Sequence, residues 1–252
     1  MLREFASGFV DLIAPLPCIE CRDVVRSPLA PFCGPCGERL AWWRRLDGCP
    51  RCGSIRRDTD ACPGCYSSGS AIHRCHSLLR YEGRVTDWIP RFKHPNIPFG
   101  PPLESRIAIE FFANEFARRL AFRNEKRPDL VLSVALHPRR QRMRGFNHSD
   151  VIARRIAKAL SLPFSPNALT RLRHTPPQAN LPAEERRANL RGAFRARPRS
   201  LRGIGCLWLV DDVLTTGATL DAAAEACLEA GVDEVHALTL AATPPRRRTQ
   251  TK

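Results

Sequence analysis

The chain has 252 residues, enough for one substantial hydrophobic core or for one core and a small module. Its 40 Lys and Arg residues against 25 Asp and Glu residues give a formal net charge of +15. Such a charge favours polyanionic partners, either nucleic acid or a pyrophosphate-bearing small molecule, although a GC-rich genome that encodes Arg for Lys would give the same excess. No run of about 18 apolar residues and no export signal is found, so we expect a cytoplasmic protein without a membrane-spanning helix.

The N-terminal quarter of the chain is rich in cysteine. Residues 1–16 predict a short amphipathic helix, and residues 17–70 predict a double zinc ribbon. Two residues between cysteines let both sulfurs face one metal ion, and two such pairs complete a tetrahedral Cys₄ zinc site. Sequential pairing of the motifs is the simplest arrangement, and crossed pairing stays open. The candidate zinc ligands are Cys18, Cys21, Cys33, Cys36, Cys49, Cys52, Cys62 and Cys65.

Two other interpretations of these cysteines are less favoured. A disulfide framework requires an oxidising compartment, and the chain shows no export signal. A redox pair requires one CxxC motif, whereas this sequence has four. The eight thiolates therefore predict two closed, structural zinc sites.

Residues 71–243 predict a second domain in which strands alternate with helices. This alternation is typical of an α/β fold with a central, mostly parallel sheet flanked by helices. We expect strands near 77–83, 130–136, 206–210 and 234–240, and helices near 104–122, 149–160 and 219–230. Residues 163–205 are rich in arginine and proline with little periodicity, and residues 244–252 predict a disordered basic tail.

The segment from Val210 to Asp221, VDDVLTTGATLD, carries the strongest chemical signal. Asp211 and Asp212 end an apolar strand, and their carboxylates are suited to accept hydrogen bonds from ribose hydroxyls, directly or through Mg²⁺. The turn that follows opens a helix whose N-terminal N–H groups favour a phosphate. No Lys follows the glycine, which disfavours a Walker P-loop, and an ordinary strand-end turn is the remaining alternative. The candidate phosphate ligands are Thr215, Thr216, Gly217, Ala218 and Thr219.

This segment resembles the PRPP-binding motif of type I phosphoribosyltransferases. Two further runs, residues 137–147 and 178–194, together with the CxxC pairs resemble the ComF family, and the resemblance spans residues 18–240. It implies a type I phosphoribosyltransferase fold that follows a zinc ribbon, and PRPP with Mg²⁺ as the ligand. It also implies an association with competence and the uptake of single-stranded DNA.

The resemblance also assigns roles to individual residues. It implies a catalytic role for Asp211 and Asp212, and an arginine-rich hood or flap over the site at about residues 137–202. Lys93 matches a basic residue of the family, whereas His94 to Asn96 and His148 depart from its usual pattern. The residues implied for the pyrophosphate loop or the flap are His137, Arg139, Arg140, Arg144, Gln178 and Arg186.

Two functions stay open at this point. One is transfer of phosphoribosyl from PRPP to an acceptor, for which no residue stands out as a general base. The other is handling of single-stranded DNA alongside the DNA-uptake machinery, because residues 186–202 hold seven arginines and no acid. A solvated loop would have the same composition. A zinc scaffold with an inactive pocket is disfavoured by the complete set of acids and threonines.

We expect about two zinc ions per chain, since eight thiolates close two tetrahedral sites. Elemental analysis of the purified protein, with a thiol titration, measures this number. Replacing Cys18 and Cys21 by serine should remove about one ion. A protein that holds no zinc while its thiols are intact would contradict the zinc-ribbon interpretation.

Overall fold

The computed structural model describes residues 17–25, 31–40, 70–93, 101–122, 126–174 and 189–243. Several predictions lie outside these residues: the N-terminal helix, the basic tail, Gln178 and Arg186, and the second pair of CxxC motifs with Cys49, Cys52, Cys62 and Cys65. The domain boundaries at residues 70 and 243 remain predictions.

A four-stranded parallel sheet forms the centre of the molecule, in the order β1-β6-β5-β2. A short antiparallel pair, β3 and β4, lies apart from it. The predicted fold class, a mostly parallel sheet flanked by helices, is therefore confirmed. In chain order the strands are β1 Arg74–Arg80, β2 Leu130–Ser133, β3 Leu169–Arg171, β4 Phe194–Ala196, β5 Cys206–Leu214 and β6 Glu234–Ala242.

Helices cover both faces of the sheet, so each face has its own apolar core. One core contains Phe112, Ile152 and Trp208, and the other contains Leu209 and Ala223. Alternating residues of β5 enter opposite cores, because successive side chains of a strand point to opposite faces. The helices are α1 Gly34–Glu38, α2 Val85–Lys93, α3 Leu103–Ala121, α4 Pro138–Arg144, α5 His148–Ala159, α6 Pro198–Leu201 and α7 Ala218–Glu229.

The predicted and observed elements differ in several places, including the unpredicted helix α4 and strand β1, which begins at Arg74 and not near residue 77. Strand β5 runs on to Leu214, so that Asp211 and Asp212 lie within the strand. Helix α2 was not anticipated, because Pro90 lies inside it and proline normally ends a helix. Strands β3 and β4 lie in the stretch without periodicity, and three residues each are too few to show an alternation.

The first CxxC motifs pack directly against the α/β core. The ring of Phe32 is fully buried, with its centroid 5.3 Å from that of Trp88 in α2 and 5.8 Å from that of Phe112 in α3. An ion pair of 2.7 Å between Glu20 and Arg84 lies at the edge of this contact. Through Phe32, the cysteine-rich segment therefore shares a core with the two helices that precede β2.

Within the described part of the chain, the search for helices long and apolar enough to cross a membrane finds none.

Candidate functional site

An open cavity of about 280 Å³ lies at the carboxyl ends of β2 and β5. In parallel α/β sheets this edge is where ligands bind, because the loops that follow the strands converge there. A second cavity, of about 440 Å³, lies beside the cysteines and away from the two acids. The first cavity is lined by Tyr81, Lys93, Val134, Ala135, Leu136, Arg140, Arg144, His148, Ser149, Arg171, Asp211, Asp212, Val213, Thr215 and Thr219.

Asp212 is buried at the floor of this cavity and is held by two partners. Its Oδ2 lies 2.8 Å from Nζ of Lys93, at the end of α2, and 2.8 Å from Nε2 of His148, at the start of α5. Burial alone would raise the pKa of Asp212, but the charge of Lys93 and the contact with His148 outweigh burial and lower it. Asp212 is therefore ionised.

Asp211 has the opposite electrostatic environment. Ser149 Oγ donates a hydrogen bond of 2.8 Å to its Oδ1, and the backbone N–H of Asp212 donates to the same oxygen. Burial and the neighbouring charge of Asp212 raise the pKa of Asp211, against the opposing influence of His148 and Lys93. The two adjacent acids thus differ in proton affinity. A bound cation or a hydroxyl donor would stabilise the ionised form of Asp211 more than that of Asp212, which already has two partners.

The turn that follows β5 has the geometry of an anion site. Gly217 adopts φ +78°, a left-handed conformation in which a side chain would be strained, and α7 begins at Ala218. Thr215 and Thr219 line the cavity, whereas Ala218 is buried. Thr216 and Gly217 complete the turn and are partly exposed. The N-terminal amides of α7 have no intrahelical acceptors, which suits them to a phosphate.

The loop after β2 and helix α4 bring basic groups to the same cavity. His137 caps α4, with its Nδ1 accepting the backbone N–H of Arg139 at 3.2 Å. Arg140 and Arg144 line the cavity, whereas His137 and Arg139 are not among its lining residues. Burial lowers the pKa of both lining arginines, and the charge of Arg140 adds to this effect at Arg144.

Asn147 fixes the position of α5 relative to the loop after β2. Its amide nitrogen donates to the carbonyl of Val134 at 3.1 Å, and its Oδ1 accepts the N–H of Ser149 at 3.1 Å as the helix cap. The same nitrogen donates to Asp150, which also accepts a hydrogen bond from Ser133 in β2. Helix α5, which the sequence analysis predicted near residues 149–160, therefore packs one face against the core and holds its N-terminus at the site.

His148 links the basic groups to the acids. Its Nδ1 lies 3.3 Å from a guanidinium nitrogen of Arg144, and arginine can only donate. We therefore assign Nδ1 as the acceptor, which leaves the proton on Nε2, facing Asp212. With both ring nitrogens engaged, His148 orients Asp212 and is not available as a general base.

Three residues of the site had no role in the sequence interpretation. Ser149 and His148 follow the RGFN run directly and begin a predicted helix, but only the folded structure shows that they meet the acid pair. Arg171 comes from β3, a strand too short to be predicted, and no pattern in the sequence connects it with the cavity. Lys93 was singled out by the resemblance alone.

The first four cysteines form one compact cluster. The sulfurs of Cys18, Cys21, Cys33 and Cys36 all lie within 4.8 Å of one another, which confirms that the two motifs belong together. Burial opposes ionisation of Cys18, but hydrogen bonds from nearby backbone amides lower its pKa to about 6. Four sulfurs at this spacing, with amide donors around them, fit a tetrahedral structural zinc ion.

Comparison with known proteins identifies the family. No protein-family model matches the chain. The DNA utilization protein YhgH of Salmonella typhi is 37% identical over 233 residues, which cover 92% of this chain and 99% of the relative. Competence protein F of Haemophilus influenzae is 28% identical over 235 residues, which cover 89% and 96% of the two chains. The chain belongs to the ComF family.

Solved structures with some likeness to this ComF chain include phosphoribosyltransferases. A purine phosphoribosyltransferase from Pyrococcus horikoshii matches with a TM-score of 0.33 at 19% identity. The match covers 56% of this chain and 74% of the other chain. A PRPP amidotransferase from B. subtilis matches with a TM-score of 0.39 at 19% identity, and the match covers 59% of this chain and 30% of the other chain. Scores this low leave the fold to be assigned from the sheet and the family. The described part of the chain is an α/β fold with a central parallel sheet, helices on both faces and a cysteine cluster on its N-terminal side.

The two acids should respond in opposite ways to removal of their charge. Asp212→Asn leaves the partly buried Lys93 without its carboxylate, and we expect the free energy of unfolding to fall by about 2–3 kcal/mol. Asp211→Asn keeps an oxygen for Ser149 and removes a buried charge, so the free energy of unfolding should stay equal or rise. Urea denaturation at neutral pH measures both, and equal losses in the two variants would contradict the assignment of charge.

Proposed function

We propose that the chain binds PRPP in the cavity at the ends of β2 and β5. The observation that carries this proposal is the convergence of three groups on one cavity: the acid pair, the threonine turn and the lining arginines. PRPP carries a 5-phosphate, ribose hydroxyls and a pyrophosphate, and each of these has a chemically matched partner in the cavity. The family and its fold point in the same direction.

In this proposal each part of PRPP has its own set of protein groups. The turn from Thr215 to Thr219 takes the 5-phosphate at the N-terminus of α7. Asp211 and Asp212 accept hydrogen bonds from the ribose hydroxyls. Arg140 and Arg144 face the pyrophosphate, and His137 and Arg139 shape the loop that precedes them. The proposed flap roles of Gln178 and Arg186 rest on the family resemblance.

Mg²⁺ belongs to the same proposal. Donor atoms of Asp211, Asp212 and His148 lie within 4.8 Å of one another, and carboxylate oxygens are preferred ligands of this ion. Asp212 already faces Lys93 and His148, so Asp211 is the better protein ligand, with oxygens of PRPP completing the coordination. When bound, the ion would neutralise charge on the pyrophosphate.

Transfer of phosphoribosyl to an acceptor is the second step of the proposal. The half-buried Arg140 and Arg144 are placed to stabilise the departing pyrophosphate, and the cavity holds the ribose for attack at C1. Since both nitrogens of His148 are engaged, the protein offers no base at this position. The acceptor must therefore bring a nucleophile that needs no deprotonation by His148.

A second candidate function is contact with single-stranded DNA during DNA uptake. The relatives are named for competence and for DNA utilization, which supports this role for the family. In this chain the specific observation is a row of exposed arginines on β4 and α6, at Arg195, Arg197, Arg199 and Arg202. Guanidinium groups without acids between them suit a phosphate backbone.

PRPP binding should depend on Asp211. Asp211→Asn removes a charged acceptor of the ribose hydroxyls without removing a partner of Lys93, and we expect the Kd for PRPP with Mg²⁺ to rise about tenfold or more. Calorimetry gives this value. Asp233→Asn, an exposed acid before β6, is the matched control and should bind like the original chain. No binding of PRPP by the unaltered chain would overturn the proposal.

DNA binding should depend on the arginine row and on salt. Replacing Arg195, Arg197 and Arg199 by glutamine removes three phosphate contacts, so the slope of log affinity against log salt should fall by about 2. Fluorescence anisotropy with a short single strand at several salt concentrations measures this slope. The control replaces Arg106, Arg118 and Arg127, which are exposed elsewhere and change the net charge equally. If the two triple variants lower the slope equally, DNA binding depends on the net charge of the chain and not on this row of arginines.

A further inference from the structure

Arg171 is a buried arginine that enters the cavity from outside the central sheet. It is the last residue of β3, it is 8% exposed, and it lines the cavity together with the two acids. Its guanidinium carbon lies 5.3 Å from the ring centroid of Phe194, the residue that faces it on β4. This contact holds the side chain in one direction before a ligand binds. Binding therefore costs less of the side chain's conformational entropy.

The position of Arg171 concentrates positive charge in a small space. Arg140 and Arg144 reach the same cavity from α4, so three guanidinium groups from two separate elements line it. Burial lowers the pKa of Arg171, and repulsion by Arg140 lowers it further, against the attraction of Asp211. The ring of His174 meets that of His137 edge to face, with 5.1 Å between their centroids, and the pKa of His174 is lowered by burial and then by the charges of Arg140 and Arg139.

A cluster of like charges in a partly buried site costs free energy unless an anion occupies it. The two acids at the floor of the cavity offset only part of this positive charge, because Lys93 already pairs with Asp212 and Asp211 is left to face three guanidinium groups. A ligand with several negative charges would relieve the repulsion. Guanidinium groups are suited to it, since their planar forks bind phosphate oxygens in pairs.

We propose that Arg171 is a binding residue for the pyrophosphate group of PRPP, and that β3 and β4 are the element that delivers it. This inference rests on the proposed PRPP function. The 5-phosphate is assigned to the turn before α7, so the cluster of Arg140, Arg144 and Arg171 faces the other charged end of the ligand. The small antiparallel sheet is then part of the binding site as well as a cover for α7.

The experiment compares two ligands that differ only in the pyrophosphate. Calorimetry with PRPP and with ribose 5-phosphate, both with Mg²⁺, is run on the unaltered chain and on Arg171→Gln. Loss of a charge-assisted, paired contact should weaken PRPP about 10- to 100-fold, and ribose 5-phosphate should bind unchanged. Arg106→Gln, exposed on α3 and absent from the cavity lining, is the matched control and should leave the binding of both ligands unchanged.

A second variant keeps the outcome decisive. Arg171→Lys preserves the charge but not the planar fork, so PRPP should weaken by several-fold even if the glutamine variant fails to fold. Equal weakening of both ligands in either variant would overturn the role of Arg171 in pyrophosphate binding. If the unaltered chain binds neither ligand, the PRPP proposal itself fails, and that result is distinct from the first.

Discussion

The site depends on one buried ion pair, between Lys93 and Asp212, with His148 as the third member. A carboxylate in this position, surrounded by apolar strands, would otherwise be protonated or would destabilise the fold. The lysine comes from α2 and the histidine from α5, so the pair also fixes two helices to the end of β5. The contacts that keep Asp212 ionised therefore also hold in place the two helices that line the cavity.

The segment that follows Arg144 explains how this arrangement is reached. Gly145 ends α4 in a left-handed conformation, and Phe146 packs its ring against Phe92, the neighbour of Lys93. Asn147 then caps α5 and donates a hydrogen bond to the carbonyl of Val134. The next two residues, His148 and Ser149, are thereby placed to contact the two acids. Consecutive residues thus turn the chain, anchor it and orient the acids.

Much of the α/β framework followed from the sequence, because long apolar runs and regular helical spacing leave few alternatives. The acid pair and the threonine turn were also predictable, since their order along the chain is their order in space. The electrostatic contacts were not. Lys93 is more than a hundred residues from Asp212 in the chain, and only the folded sheet shows which cation reaches which acid.

Arg171 illustrates the same limit. Its strand has three residues, and its partner strand lies after a long proline-rich stretch, so neither periodicity nor spacing points to the cavity. The cysteines show the opposite case. CxxC motifs bring two sulfurs together through the local backbone alone. Which motifs pair stayed open in the sequence, and the structure groups the first two.

The central claim is that a preformed, electrostatically ordered cavity accepts PRPP without rearrangement of its acids. A crystal structure of the chain with PRPP and Mg²⁺ tests this most directly. We expect the 5-phosphate at Thr215 to Thr219, the ribose hydroxyls at the acids, and Lys93 still paired with Asp212. A ligand bound elsewhere, or an Asp212 that has left Lys93 to contact the ligand, would contradict the account.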